Sequence, residues 1–140
     1  MQTSKQKEGE LLLETRSKIV TTTVKDISEK GITLEFNSTG HSTGKYNSED
    51  TSTVTVWMKT DGTSEYENKG IQTTSQGDFI AVWGKGTGKT TGPGTQAWEG
   101  EVHFMTQSPK LAWLNNVKGW AKGVGNQAKG ESSGKIFQQK

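Results

Sequence analysis

Polar residues alternate with apolar or β-branched residues along most of this chain, and Gly, Asn, Asp or Ser interrupts the alternation at intervals of roughly eight to twelve residues. A period of two places successive side chains on opposite faces of a β-strand. Short polar interruptions at this spacing are typical of hairpins between antiparallel strands. The pattern therefore predicts an all-β chain whose strands follow one another in a meander.

Nine segments carry the alternation and are rich in the β-branched and aromatic residues that suit a pleated surface. They are residues 9–14, 18–26, 31–38, 51–60, 63–74, 78–86, 95–107, 116–128 and 134–138. From them we predict eight to ten strands. The only helical candidate is residues 108–114, where Ser108 is placed to cap and Pro109 to occupy the first helical position. We expect a short helical or 3₁₀ connection there.

The connections divide into tight turns and polar loops. Asp61-Gly62 predicts a hairpin with a type I′ turn, because that turn requires positive φ angles. Residues 28–31 and 75–78 are also predicted turns, each with a Gly. Residues 39–50 contain no apolar run and residues 84–94 contain five Gly. We expect both segments to be irregular loops.

Strands without helices must bury one face against other strands, so the chain folds into a two-sheet sandwich or a barrel. Sequential hairpins favour a barrel, and so do the glycines within the predicted strands, since strongly coiled barrel strands bend at Gly. We predict one domain over residues 1–140, a single antiparallel up-and-down β-barrel of about eight strands. The polar first eight or so residues are expected to be disordered.

Charge and composition limit the classes of partner that the chain can bind. The 17 basic and 15 acidic residues are interspersed and leave a net charge of +2, which argues against nucleic acid as a partner. Cysteine is absent, which excludes disulfides and thiolate metal sites. The two His lack paired metal-ligand spacing, so we predict no metal and no cofactor. No apolar run approaches the roughly 20 residues of a membrane helix. We expect a cytoplasmic protein that does not bind a membrane.

A pair of polar residues on one predicted strand is the first candidate for a catalytic or ligand-binding site. In residues 98–105 one face carries Trp98, Gly100, Val102 and Phe104, and the other carries Glu101 and His103. A carboxylate and an imidazole two residues apart can share a proton and act as acid and base. The same pair on a surface strand is an ordinary solvated neighbour. Both interpretations stay open, and no catalytic motif is present.

Five tryptophans in 140 residues exceed ordinary usage. Aromatic side chains spread over several strands either line a pocket for a ring-bearing ligand or form the core of a chain that is poor in Leu and Ile. For an interior ligand site we select Trp57, Trp83 and Trp113 together with the polar Glu101 and His103.

The second half of the chain resembles a known group of barrels. The resemblance rests on Gly94-Thr95-Gln96-Ala97-Trp98-Glu99-Gly100, on Ser108-Pro109-Lys110-Leu111-Ala112-Trp113-Leu114-Asn115-Asn116-Val117-Lys118-Gly119, and on Gly123, Gly130 and Gly134-Lys135-Ile136-Phe137. It covers roughly residues 77–138 and is to small bacterial barrels of unknown function, similar to the allene oxide cyclase barrel and related in shape to the calycins. It implies eight antiparallel strands, a central cavity, and dimers or trimers. Cyclase activity is not implied, and no catalytic residue is carried over.

Three functions follow as hypotheses. The first is a barrel that binds a small apolar or amphipathic ligand in its interior, with Glu101 and His103 orienting it. The second is an enzyme of the isomerase or cyclase type, in which a preformed cavity positions the substrate and an acid such as Glu101 assists. The third is a structural protein that forms homo-oligomers and has no small-molecule site. A cavity-buried carboxylate or His with a perturbed pKa would distinguish the enzyme, and a filled interior would favour the structural role.

Overall fold

The computed structural model describes residues 7–140 and contains eight strands and one 3₁₀ helix. The strands are β1 (Leu11–Ser28), β2 (Gly31–Gly44), β3 (Ser48–Lys59), β4 (Thr63–Thr73), β5 (Phe79–Gly92), β6 (Thr95–Thr106), β7 (Lys118–Asn126) and β8 (Glu131–Gln138), and the helix is Pro109–Asn116. Each strand pairs antiparallel with its neighbours in sequence, and β8 pairs with β1 to close the sheet. The predicted eight-stranded up-and-down barrel is confirmed.

The disorder predicted for the first eight or so residues falls mostly on residues 1–6, which lie outside the described part of the chain. Residues 7 and 8 are described, and Glu8 forms an ion pair with Lys122. Within residues 7–140, no helix is long and apolar enough to cross a membrane.

Two segments that were expected to be loops are strands. In residues 39–50, β2 continues to Gly44 and β3 begins at Ser48. In residues 84–94, β5 continues to Gly92. Both segments are polar or glycine-rich on both faces. Residues 39–50 line a polar part of the barrel interior, and residues 84–94 face a part that is occupied by rings from other strands. The usual contrast between an apolar and a polar face is therefore missing. The predicted strands 9–14 and 18–26 are a single strand, β1, in the structure.

The predicted turns are present, and one differs in type. The hairpin between β3 and β4 has positive φ at Gly62, 88°, but no non-glycine residue of the described chain has positive φ. The turn is therefore not type I′, which needs positive φ at both central residues. The Gly62 amide instead donates to the Lys59 carbonyl at 3.4 Å. Gly77 in the predicted turn at 75–78 also has positive φ, 87°.

The 3₁₀ helix closes one end of the barrel. Leu111 and Leu114 on this helix are buried and belong to the hydrophobic core. The other core members are Leu12, Leu13, Ile80, Val82, Val102, Phe104, Val117, Ala121 and Ile136, with Tyr46 and Trp98 packed against them. This apolar layer, together with the helix, is referred to below as the plug.

Ser108 holds the start of the helix in a way that the sequence did not predict. It occupies the N-cap position and Pro109 follows it, but its side chain makes no capping hydrogen bond. The Ser108 hydroxyl donates instead to Asp78 Oδ1 at 2.8 Å. Asp78 also accepts a hydrogen bond from the Thr74 hydroxyl at 2.7 Å and pairs with Lys110 Nζ at 3.1 Å. Asp78 thus ties the helix to the turn before β5.

Two aromatic rings inside the barrel lie against glycines. A Cβ atom on Gly86 or Gly100 would be 2.7 Å from the Tyr66 hydroxyl oxygen. A Cβ on Gly123 would be 2.5 Å from Trp98 Cζ2. Any side chain at these positions would displace the rings, since real Cβ atoms keep larger separations. The rings of Tyr66 and Trp98 meet edge to face, with centroids 6.0 Å apart.

We expect Gly123→Ala to reduce the free energy of unfolding by about 1–3 kcal/mol, because the added methyl group would lie 2.1 Å from the Ser133 carbonyl oxygen and 2.5 Å from Trp98 Cζ2. Gly125→Ala is the matched control, on the same strand and the same face, where a Cβ would have only one neighbour, at 3.9 Å. Urea unfolding measures both variants. Equal losses of stability would contradict this account of the ring packing.

We expect Asp78→Asn to destabilise the protein at pH 7 and to match the wild type near pH 2. The Thr74 and Ser108 hydroxyls and Lys110 lower the Asp78 pKa from 3.8 to about 2 in the folded protein. Because the Asp78 pKa is lower in the folded protein than in the unfolded chain, the ionised carboxylate stabilises the fold at pH values above about 4. This stabilisation is lost as the pH falls from about 4 to 2. Thermal unfolding at several pH values tests this. A difference between the proteins that does not shrink on acidification would contradict it.

Candidate functional site

The barrel encloses a cavity of about 250 Å³ between the plug and the turns at the opposite end. Phe36, Val54 and Val56 line it toward the turn end, and Gln96 and Gln127 border it there. An apolar cavity of about 150 Å³ is large enough for benzene. This interior is therefore large enough for a molecule of one or two rings.

One part of the cavity surface, the polar wall, consists of polar side chains of the first four strands, which are Thr15, Ser17, Ser38, Ser42, Asp50, Ser52, Ser64, Asn68 and Gln72. The same strands also contribute the apolar side chains of Ile19, Phe36, Val54 and Val56. The last four strands contribute mainly apolar side chains, which are Val82, Trp98, Val102, Ala121 and Ile136. Tyr66 adds an aromatic ring from β4. Such a surface is complementary to an amphipathic molecule.

Asp50 lies at the plug end of the polar wall within a cluster of hydrogen bonds. The Ser48 hydroxyl donates to Asp50 Oδ1 at 2.6 Å, and the Ser42 hydroxyl donates to Oδ2. Gln72 Nε2 donates to the Ser42 hydroxyl at 3.2 Å, and the Tyr46 hydroxyl donates to Gln72 Oε1 at 2.5 Å. We call these five residues the Asp50 cluster. Its hydrogen bonds fix the carboxylate in one orientation.

Asp50 is the only acidic or basic residue whose side chain faces the cavity in the described chain. Arg16, Glu101 and Glu131 also border it, but each alternates along its strand with an inward-facing neighbour, so its side chain points outward. Arg16 and Glu131 are exposed accordingly.

Burial alters the ionisable groups that face the interior. Desolvation raises the pKa of the Asp50 carboxyl, and hydrogen bonds from Ser42 and Ser48 oppose the rise only in part. Burial also raises the pKa of the phenols of Tyr46 and Tyr66, so both stay neutral and able to donate. A carboxyl with a shifted pKa in a cavity marks a candidate functional site.

One buried polar atom of the cavity wall has no hydrogen-bond partner among residues 7–140. Asn68 Oδ1 is fully buried and accepts no hydrogen bond from any described residue. A buried acceptor left unsatisfied costs about 1–3 kcal/mol, so such groups are rare in folded proteins. Because Oδ1 has almost no surface open to the cavity, a ligand donor satisfies it only when the Asn68 side chain turns toward the cavity.

The five residues predicted to form the site lie around the outside of the barrel. Trp57, Trp83 and Trp113 are 43%, 44% and 40% exposed. His103 stacks on Trp83 with centroids 5.7 Å apart, and its Nε2 lies 3.8 Å from Glu101 Oε1. They therefore do not form the interior site that was expected, since only the backbone side of Glu101 borders the cavity. Any ligand contact by the five stays a prediction, and it would occur outside the cavity.

Sequence reasoning missed the residues that do face the interior, although a signal for one of them was present. On β3, Val54 and Val56 face inward, and the period of two carries the same face back through Ser52 to Asp50. Assigning residues 39–50 to a loop hid this continuation. Trp98, placed on the apolar face of its strand, does point into the barrel.

Comparison with known proteins supports the fold. A protein of unknown function from Clostridium acetobutylicum matches with a TM-score of 0.80 and 15% identity, over 92% of this chain and 97% of its own. A β-barrel-like protein from Acinetobacter baumannii matches at 0.78 and 16%, over 94% of each chain. An enzyme from Penicillium herquei matches at 0.69 and 21%, over 94% of this chain and 96% of its own.

These identities are low enough that the likeness shows the fold alone. The sequence matches no protein-family model and no curated protein. The resemblance to small bacterial barrels of unknown function is thus supported. None of the three matched proteins is described as an allene oxide cyclase, so that finer relationship stays a prediction.

We expect Asp50→Asn to be at least as stable as the wild type at pH 7. The raised pKa means that the folded protein holds the ionised carboxylate at a cost relative to the unfolded chain. As the pH falls through the raised value toward 3.8, the wild type binds its proton and gains stability relative to the variant. Thermal unfolding from pH 7 to 3.5 measures the difference. A variant that is less stable at pH 7, by an amount that shrinks on acidification, would contradict this.

Proposed function

We propose that the protein binds a small amphipathic molecule of one or two rings inside the barrel. The observation that carries the proposal is the interior cavity, whose surface combines polar side chains, mostly from β1–β4, with apolar side chains from both halves of the barrel. A small domain without a ligand would gain stability by filling such a space, because empty volume forfeits packing energy. Here four of the lining positions are glycines, Gly40, Gly70, Gly84 and Gly125, which place no side chain in the interior.

The unpartnered Asn68 Oδ1 gives the ligand a polar requirement. No donor among the described residues reaches this atom, so the complementary group, once the Asn68 side chain turns toward the cavity, is a hydroxyl or N–H on the ligand. The apolar wall, with Val82 and Val102, then contacts the hydrocarbon part. The ring of Trp98 is held by a hydrogen bond from its Nε1 to Ser132 at 3.2 Å, which fixes one surface for a ligand ring.

An enzyme of the isomerase or cyclase type is the second candidate. The observation that favours it is the Asp50 carboxyl, which faces the cavity with a raised pKa and meets the criterion that distinguishes catalysis from binding. The acid that would act is then Asp50 and not Glu101. One protein of the same fold is described as an enzyme. If Asp50 transfers protons, Asp50→Asn keeps ligand binding and loses turnover of the bound compound.

A purely structural role receives less support, because it was expected to accompany a filled interior. Assembly into dimers or trimers stays a prediction, as does a cytoplasmic location.

We expect Val54→Trp to weaken binding of ring compounds at least tenfold, because the larger side chain occupies the cavity that Val54 lines. Thr55→Trp, one residue further on the outer face of the same strand, is the control and should bind as the wild type does. Calorimetric titration with 2-naphthol and a set of one- and two-ring alcohols measures affinity. Failure of the wild type to bind any of them, or equal binding by both variants, would contradict interior binding.

A further inference from the structure

We propose that the ligand carries a protonated amine, which pairs with the Asp50 carboxylate at the plug end of the cavity. The inference rests on the proposed binding function and specifies the chemical class of the ligand: an arylalkyl amine with a hydrogen-bond donor at its far end.

The first step of the argument is the direction of the hydrogen bonds in the Asp50 cluster. Tyr46 donates to Gln72, Gln72 donates to Ser42, and Ser42 donates to Asp50. Ser48 donates to the other carboxylate oxygen. Every bond in the cluster thus runs toward Asp50, which ends the chain as a pure acceptor. An ionised carboxylate only accepts, whereas a protonated one must also donate. Gln72 Nε2 can only donate to the Ser42 hydroxyl, which leaves the proton of that hydroxyl for Asp50, so the cluster suits an ionised carboxylate.

The second step is the missing counter-ion. The ion pairs within residues 7–140 are Lys45–Glu10, Lys59–Glu65, His103–Glu101, Lys110–Asp78, Lys122–Glu8 and Lys135–Glu14. None of them includes Asp50, and no Lys or Arg side chain of the described chain faces the cavity. Neutral hydroxyls orient a buried charge, but they do not neutralise it. Asp50 is partly buried, and a carboxylate that is largely withdrawn from water without a cation beside it is destabilising. A cationic group on the ligand offsets that cost.

The third step is the spacing of the two polar positions. Asp50 pairs across the sheet with Gln72, and Asn68 lies four residues from Gln72 along β4. Four residues of strand span about 13 Å. A molecule with an ammonium group at one end, a ring in the middle and a hydroxyl at the other end matches this arrangement, with the ring against the apolar wall.

The test uses three probes that share one ring and one phenolic hydroxyl and differ only in the other end. Tyramine ends in an ammonium group, tyrosol in a neutral hydroxyl, and 3-(4-hydroxyphenyl)propionate in a carboxylate. We expect tyramine to bind the wild type at least tenfold more tightly than tyrosol, and the propionate to bind most weakly. Calorimetry or ligand-observed NMR gives the three affinities at pH 7.

Two variants locate the preference. Asp50→Asn should abolish the advantage of tyramine and leave the affinity for tyrosol within about threefold of the wild type. Asp26→Asn removes the same charge from an exposed position on β1 and should leave all three affinities unchanged. The comparison of probes on the wild type needs no variant, so it decides the inference even if Asp50→Asn does not fold.

The outcomes separate the two proposals. Tyrosol binding as tightly as tyramine, or an amine preference that survives Asp50→Asn, overturns the amine inference and leaves interior binding intact, with Asp50 then available for proton transfer. If neither these probes nor the ring alcohols above bind the wild type, interior binding itself fails. An amine preference that Asp26→Asn also reduces would indicate attraction to the outer surface and overturn the inference.

Discussion

Closure of the sheet between β1 and β8 is the constraint on which the rest of this structure depends. Leu13 pairs with Ile136 and Thr15 with Gly134 along this seam. With both neighbours in place, each strand satisfies its backbone hydrogen bonds on two sides, and the inward faces of eight strands enclose one space. Without closure, the polar residues of β2 to β4 would face solvent, and burial would have no effect on Asp50.

The enclosed space is used differently along its length. At one end the 3₁₀ helix and the leucines around it fill the barrel as an ordinary core. Further along, glycines take the place of side chains on the inward faces, and the rings of Tyr66 and Trp98 fill only part of the room that results. Packing therefore supplies stability at the plug, whereas the remainder of the interior stays open. This division is what an interior ligand site requires of a chain of only 140 residues.

The Asp50 cluster shows the cost of such a site. An ionised carboxylate placed beside an apolar cavity destabilises the folded state, and its hydrogen bonds offset only part of that cost. Features that reduce stability in the absence of a partner tend to lie at functional positions. Asp50 and the unpartnered Asn68 fit this expectation better than the Glu101–His103 pair, which is half-exposed on the outer face.

The sequence by itself determined the fold class, most of the strands, the turn positions, and the short helix after β6. Alternation and glycine placement are properties of consecutive residues, so they can be recognised without knowing which strands pair. It also identified Trp98, Gly100, Val102 and Phe104 as one face. Only the tertiary structure decided that the side chains of Trp57 and Trp83 point outward, that Trp113 on the 3₁₀ helix is exposed, and that most of the polar segment 39–50 is strand. Period-two alternation defines two faces without saying which is enclosed, and a polar interior removes the contrast that would tell them apart. Asp50 became a candidate once closure of the barrel turned this face of β3 toward an enclosed interior and partly buried its carboxylate, which no local pattern specifies.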